Sequence, residues 1–153
     1  MSQPTYSKSQ AGWIMIIIMP ILSLFMALSY YYQWGDEPLT ETSAIIFVSV
    51  FLVIMLVFYN LTISIHKNVV QAKFGIGLIK FNLIVDQLHS AEVVTFPWWY
   101  GWGIRFTPQG MMYNIWGRKA VKMTFTTNGK KKKTVLLGTD EPEMLLEQIK
   151  KLK

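Results

Sequence analysis

The feature that most constrains the fold is an uncharged run at residues 44–63, AIIFVSVFLVIMLVFYNLTI. Its only clearly polar members are Ser49, Asn60 and Thr62. A helix rises about 1.5 Å per residue and a bilayer core is about 30 Å thick, so about twenty apolar residues span it. Inside a bilayer the backbone has no water to bond to, and a helix satisfies its own hydrogen bonds within one segment. The run therefore predicts a transmembrane helix at about residues 43–60.

A second uncharged run precedes it at residues 13–32, WIMIIIMPILSLFMALSYYY. Trp13 marks one end of this run and a tyrosine cluster marks the other. Aromatic rings with a polar edge favour the headgroup level, so the run predicts a first transmembrane helix at about residues 13–33. The alternative is a secretory signal peptide, because residues 27–29 (ALS) resemble a cleavage site made of small residues. The transmembrane helix is favoured, because the run is long for a signal peptide and only one basic residue, Lys8, precedes it.

The orientation of the two helices follows from the Lys and Arg residues near their ends. The connector at residues 35–43 has three acidic residues and no basic one, whereas Lys67, Lys73 and Lys80 follow the second helix. Both termini are therefore predicted to be cytoplasmic, in a multi-pass protein of the cell (cytoplasmic) membrane. A hydrophobic fraction of 52% and a charged fraction of 16% agree with this class. Residues 1–12 are predicted to be a loosely ordered N-terminal tail.

After the second helix the hydrophobic period changes to two. Leu61, Ile63 and Ile65 alternate with polar residues, which predicts a half-buried strand growing directly out of the helix. Lys67-Asn68 is predicted to be a tight turn and Asn128-Gly129 a hairpin turn. Further strands are predicted at residues 69–74, 79–83, 91–96, 103–107, 111–116, 121–126 and 133–138, with a break at residues 86–90.

The chain is predicted to end in a helix, because Leu145, Ile149 and Leu152 form an apolar stripe. Several short strands followed by one helix predict an α+β domain. In it, a curled antiparallel sheet or partial barrel is closed at one open end by that helix. The predicted organisation is thus a membrane α-helical hairpin at residues 13–60, with a short acidic loop, followed by one domain at residues 61–153.

Three motifs in this domain carry a resemblance to a known family. They are Trp102-Gly103-Ile104-Arg105; Tyr113-Asn114-Ile115 with Gly117 and Val121; and residues 138–143, GTDEPE. In combination they resemble the bacterial PH-like (pleckstrin-homology-like) domain of small membrane-anchored proteins, over about residues 61–152. The resemblance implies two near-orthogonal antiparallel β-sheets capped by a C-terminal helix. Most members of this family have no assigned activity, so the resemblance implies a fold and not a reaction.

Two basic features are candidates for anion contact. Lys130, Lys131, Lys132 and Lys133 place four like charges at a hairpin tip, where each lysine near an anionic lipid surface would contribute about 1 kcal/mol. The alternative is a solvated tip whose charges discourage aggregation between strand edges. Arg105 is the second candidate, and its alternative role is pairing with Glu92 or a loop carbonyl.

The densest aromatic stretch is at residues 96–102, FPWWYGW. Trp98, Trp99, Tyr100 and Trp102 are predicted to form either a wedge at the membrane interface or a surface for a partner. The alternative is that these rings cover the open end of a small sheet core.

Enzymatic chemistry finds little support in the sequence. His66 and His89 are the only histidines, they have no metal-ligand spacing, and no serine has a nucleophile-elbow context. The chain contains no cysteine, so it has no disulfide and no thiolate metal site. Gly75-Ile76-Gly77 is predicted to be a turn, because no third glycine opens a helix after it. We therefore predict no catalysis, no metal and no cofactor.

The basic charge of the domain, with 14 Lys and Arg against 6 Asp and Glu from residue 64 onward, leaves a choice of partners. Nucleic acid is disfavoured by the membrane tether and by the absence of a recognised nucleic-acid-binding module. The sequence predicts a non-enzymatic integral membrane protein, in contact with membrane lipids, that presents a cytoplasmic PH-like scaffold to a protein or peptide partner. The alternative is a sensor of anionic lipid headgroups that acts through the Lys-rich hairpin and the aromatic loop.

Overall fold

The structure of the chain is a computed structural model that describes residues 4–127, 129 and 131–152. Within these residues there are nine strands, three α-helices and a short 3-10 turn at Trp98–Tyr100. In chain order the elements are β1 (Tyr6–Ala11), α1 (Trp13–Tyr31), α2 (Glu41–Phe58), β2 (Asn60–His66), β3 (Val69–Phe74), β4 (Ile79–Ile84), β5 (Gln87–Thr95), β6 (Gly103–Thr107), β7 (Gly110–Asn114), β8 (Lys119–Thr127), β9 (Lys131–Gly138) and α3 (Pro142–Lys150).

The first two helices pack against each other and expose most of their apolar surface. Their mean hydropathies are 2.2 for α1 and 2.5 for α2, and only 11% and 6% of the two apolar windows are buried. By length and composition both helices could span a membrane. Their low burial distinguishes them from the core helices of a water-soluble domain, whose apolar faces are covered. The two predicted helices are confirmed, with ends within two residues of the predicted bounds.

The prediction of a loosely ordered N-terminal tail is wrong. Strand β1 pairs antiparallel with β2 over six residue pairs, from Tyr6–Ile65 to Ala11–Asn60. The domain predicted at residues 61–153 thus takes an edge strand from the chain before α1. The paired residues of β1 and β2 are 49 to 59 positions apart in sequence, and β1 contains few apolar residues, so local patterns did not reveal it.

The β1–β2 ladder passes into the α1–α2 pair without a linker. The backbone N–H of Gly12, between β1 and α1, donates to the carbonyl of Tyr59 at 2.7 Å, directly after the last residue pair of the ladder. A Cβ added to Gly12 would lie 2.6 Å from the carbonyl oxygen of Phe58 and 2.7 Å from Cγ1 of Ile115. Only glycine at position 12 allows this segment, the end of α2 and the loop after β7 to approach this closely.

The nine strands form two sheets in the described part of the chain. One has four strands in the order β1-β2-β3-β4, and the other has five in the order β5-β8-β9-β7-β6. The predicted antiparallel pairing is confirmed for the other described strand pairs but is wrong for β7 and β9, which pair in parallel. Parallel pairing needs a connection long enough to cross over, and here the antiparallel strand β8 lies within that connection.

The predicted break at residues 86–90 is also wrong, because β5 begins at Gln87. Its register with β8 shifts between Leu88 and Ser90, a β-bulge that leaves His89 as the extra residue. The ring Nε2 of His89 lies 2.6 Å from the hydroxyl of Thr126. The polar residues that suggested a break therefore lie in an exposed edge strand.

One hydrophobic core lies between the two sheets and α3. Leu61 and Phe74 from the first sheet, Met123 from the second and Leu145 from α3 are nearly or fully buried there. A smaller cluster on the opposite face of the second sheet contains Phe96, Met112, Ala120 and Leu136. The second sheet is thus apolar on both faces, and its outer face needs a cover.

The domain has a helix-proximal end, where β1 and β2 join α1 and α2, and a distal end, where Lys67-Asn68 turns between β2 and β3. The turn is confirmed, and its Asn68 carbonyl accepts the N–H of Val85 at 2.8 Å. The next residue, Asp86, accepts the N–H of Gly129 at 3.0 Å, which places the β8–β9 hairpin at the distal end. The other end of β9 lies beside the side chain of Asn114, at the helix-proximal end.

We predict that Gly12→Ala destabilises the protein while Ser7→Ala does not. The added methyl would overpack the junction, at a cost of about 1–3 kcal/mol. Ser7 lies exposed on β1, the strand that leads into Gly12, away from this junction. Apparent melting temperatures of the full chain in detergent would measure the difference. Equal melting temperatures of the two variants would contradict a tightly packed junction.

Candidate functional site

The predicted basic and aromatic sites lie at opposite ends of the domain. Lys131, Lys132 and Lys133 are exposed at the distal end, and Lys130 lies outside the described residues. Strand β9 has seven residue steps of about 3.3 Å each, so about 23 Å separate Lys131 from the helix-proximal end. The aromatic stretch at residues 96–102 lies at the helix-proximal end, because a Cβ added to Gly103, the next residue, would lie 4.0 Å from the ring of Phe58.

Some rings of the aromatic stretch pack on the second sheet, and others are exposed on the surface. Phe96 is buried and stacks on Tyr100 with ring centroids 6.2 Å apart, and both pack on the outer face of the second sheet. Trp98 and Trp99 are 68% and 66% exposed and pack edge to face. Phe96 and Tyr100 therefore cover a core, whereas the two tryptophans face outward. Contact of these tryptophans with a membrane or a partner stays a prediction.

An aromatic cleft of about 270 Å³ lies at the helix-proximal end. Its lining residues come from two loops and are Trp98, Gly101, Trp102, Trp116, Gly117 and Arg118. Three indole rings supply flat apolar surface, and one guanidinium supplies a positive charge that also stacks on aromatic faces. The cleft can therefore hold an apolar or planar side chain next to an anionic group.

Two amide side chains fix the loop between β7 and β8 that forms one wall of this cleft. The side-chain N–H of Gln10 donates to the carbonyl of Trp116 at 2.8 Å, and that of Asn114 donates to the carbonyl of Gly117 at 3.4 Å. Both amides are buried. This wall of the cleft thus depends on Gln10 of β1. The sequence did not reveal the wall, because its residues come from distant segments that share no periodic pattern.

Strand β1 is also bound to the start of α3. The ammonium of Lys8 donates to the carboxylate of Glu141, and this hydrogen bond raises the pKa of Lys8. Burial and the neighbouring Glu141 raise the pKa of the Tyr6 hydroxyl. A second hollow of about 190 Å³ lies between β1, the Trp116 loop and the residues before α3. The contacts of β1 therefore extend from the cleft to the terminal helix.

Arg105 supports the aromatic loop. Its Nε donates to the carbonyl of Trp102 at 3.3 Å, which confirms pairing with a loop carbonyl. Glu92, the other predicted partner, instead accepts from Lys122 at 2.9 Å. A Cβ added to Gly101 would lie 3.1 Å from the guanidinium carbon of Arg105. A second positive charge therefore lies next to Gly101, one of the residues that line the aromatic cleft.

Strand β6 continues from this cleft along the edge of the second sheet. It is the last strand in the order β5-β8-β9-β7-β6, so its outer backbone groups have no neighbouring strand within the described residues. Phe106 on this strand is 87% exposed, whereas Ile104 packs on the core. The free backbone groups of such an edge can pair with a further strand, and the exposed phenylalanine can give that strand an apolar contact.

Within residues 4–127, 129 and 131–152, no three His, Cys, Asp or Glu side chains come close enough together to hold a metal ion. His66 and His89 lie on different sheets. The rings, the guanidinium and the open strand edge of the candidate site can support stacking, charge contacts and main-chain pairing.

Comparisons of the chain with protein-family models, with curated proteins and with solved structures gave no match.

Proposed function

We propose that this chain is a non-enzymatic protein that crosses the cytoplasmic membrane twice and presents a PH-like binding module at the cytoplasmic face. The module receives an extended, acidic segment of a partner protein along strand β6, with one bulky side chain in the aromatic cleft. The observation that carries this proposal is the open β6 edge, with its exposed Phe106, next to a cleft of three tryptophans.

The dimensions of the helical pair support the two spans. Helices of 19 and 18 residues are about 28 and 27 Å long, close to the thickness of a bilayer core. The pairing of β1 with β2 argues against a cleaved signal peptide, because cleavage after α1 would remove an edge strand from the sheet. The same pairing keeps the N-terminus on the side of the domain, in agreement with the Lys and Arg count.

The chemistry of the partner segment follows from the charge around the cleft. Arg118 lines it, Arg105 lies next to its Gly101, and the chain from residue 64 onward has a large excess of basic residues. An acidic partner segment would be attracted and oriented by this field. Main-chain pairing along β6 would supply affinity, and the cleft would select the side chain, as in other complexes formed by strand addition.

The PH-like identity is supported by the resemblance of three motifs and by two sheets followed by a C-terminal helix. The parallel β7–β9 pair departs from the entirely antiparallel arrangement that the resemblance implies. That pair brings β6 and β7 to the edge of the second sheet, beside the aromatic cleft. The departure from the PH-like arrangement therefore creates the surface on which the proposed partner would bind.

The alternative, lipid sensing through the Lys-rich hairpin together with the aromatic loop, finds less support. The headgroup region is about 5–8 Å thick on each side of the core, whereas the hairpin lies about 23 Å along β9 from the helix-proximal end. Lysines at that distance would lie beyond the headgroups of the bilayer that holds the two helices.

We predict opposite sides of the membrane for the connector and for the two ends of the chain. Single cysteines can be introduced cleanly, because the chain has none. An impermeant maleimide applied outside the cell is expected to label Asp36→Cys, and to label Ser7→Cys and Lys131→Cys only after permeabilisation. External labelling of residues 7 and 131 would reverse the topology, and labelling of residues 7 and 36 on the same side would exclude two spans.

We predict that a photo-crosslinking amino acid at Phe106 forms a protein adduct in cells. Ile84 is the matched control, because it is also an exposed apolar residue on an edge strand, but in the other sheet. Trp116→Ala should weaken the adduct at position 106 several-fold by removing one wall of the cleft, while Trp34→Ala should leave it unchanged. Mass spectrometry should locate the adduct in an acidic segment. Equal adducts at positions 84 and 106, or none at 106, would refute strand addition.

A further inference from the structure

The turn between β3 and β4, at residues 75–78, is fixed against the last turn of α2. The N–H of Gly75 donates to the carbonyl of Asn60 at 2.8 Å. A Cβ added to Gly75, which has a φ of +51°, would lie 2.2 Å from the carbonyl oxygen of Leu56. The turn therefore lies at the level where α2 ends, on the first sheet, whereas the aromatic cleft lies on the second sheet.

The side chains at the tip of this turn are apolar and exposed. Ile76 is 58% exposed and Leu78 is 70% exposed. Ile76 also lines an apolar crevice of about 360 Å³ together with Ile16, Met55, Leu56 and Tyr59 from the two helices. The apolar surface of the helical pair thus continues without interruption onto the turn. Such a continuous patch at the end of two membrane-length helices is suited to hydrocarbon contact.

Two lysines frame the same turn. Lys73 and Lys80 are directly opposite each other across the β3–β4 ladder. A Cβ added to Gly77 would lie 2.5 Å from Cε of Lys73 and 3.0 Å from Cε of Lys80, so both side chains lean over the turn. Like charges in this position repel each other. Among the described residues, neither ammonium has a carboxylate within 4 Å.

We propose that the β3–β4 turn is a binding site for an anionic phospholipid. Ile76 and Leu78 enter the boundary between headgroups and acyl chains, and Lys73 and Lys80 together bind the phosphate of one headgroup. The inference rests on the membrane-spanning part of the proposed function, and it is independent of the partner segment at β6. An anion between the two ammonium groups removes their repulsion, and the lysine stems cover apolar surface while the charges reach the phosphates.

A membrane lipid fits this site better than a soluble phosphate does. A soluble phosphate would neutralise the lysines but leave Ile76, Leu78 and the crevice exposed to water. A lipid satisfies both features at once, because its phosphate and its acyl chains are connected at the depth at which the lysines and the isoleucine lie. The anchoring of the turn to Asn60 and Leu56 keeps that depth constant.

The depth of the turn is tested with an environment-sensitive fluorophore on a single cysteine. Leu78→Cys carries the probe, and Ile84→Cys is the matched control, an exposed apolar position at the distal end of β4, the strand that follows the turn. The full chain is reconstituted in phosphatidylcholine–phosphatidylglycerol nanodiscs whose lipids carry a nitroxide near the glycerol. We expect strong quenching at position 78 and little at position 84. Equal quenching at the two positions would overturn the proposal.

The charge of the site is tested with the double variant Lys73→Gln/Lys80→Gln. Its control is Lys131→Gln/Lys132→Gln, which removes the same charge at the distal end. Spin-labelled phosphatidylglycerol should associate with the unmodified protein in preference to spin-labelled phosphatidylcholine. The first variant should reduce this preference by about thirtyfold, the size expected for two lysines near an anionic surface. A preference that is unchanged in the first variant, or equally reduced in both, would refute the site.

The two tests separate this site from the proposed function. Resistance of the chain to alkaline extraction from membranes reports on the spans alone. If the chain resists extraction but position 78 is not quenched, the lipid site is wrong and the spans stand. If the chain is extracted, the spans and the lipid site fail together.

Discussion

Six antiparallel residue pairs join β1 to β2, and this hydrogen-bonded ladder holds the domain to the two helices. It continues through the bond from Gly12 to the carbonyl of Tyr59 into the packed pair of α1 and α2. Because the domain is connected to the helices twice, on adjacent strands, it cannot swing as a domain on one flexible linker would. The orientation of both sheets relative to the helices is therefore set by backbone hydrogen bonds.

This rigid connection gives the two ends of the domain different surroundings and different surface chemistry. Ile76, Leu78, Trp98 and Trp99 are exposed apolar residues at the helix-proximal end, and Ile76 lines a crevice together with residues of the two helices. At the distal end, the exposed tip of the β8–β9 hairpin is rich in lysine. Tryptophan favours the level of the headgroups, whereas a lysine-rich hairpin is stable in water. The division of residues along the strands thus agrees with a domain standing on a bilayer.

The elements with strong local signals were predictable, and those formed by distant partners were not. The uncharged runs, the Lys67-Asn68 turn and most strands follow from hydropathy and from turn residues. Strand β1 has no such signal, because its stability comes from a partner beyond both helices. The parallel β7–β9 pair depends on the order of strands in the sheet. The aromatic cleft was found only in part, since Trp116 and Arg118 reach it through the loop fixed by Gln10.

The four edges of the two sheets explain why β6 is the strand assigned to a partner. Proteins protect sheet edges with charges, bulges and short strands. Strand β1 carries the ion-paired Lys8, β4 carries Lys80, and β5 contains the bulge at His89. Strand β6 is protected only by its length of five residues and by Arg105, which is already bound to the carbonyl of Trp102. Phe106 is therefore the large apolar side chain on the least protected edge. A further strand would meet fewer charges and irregularities on β6 than on the other three edges.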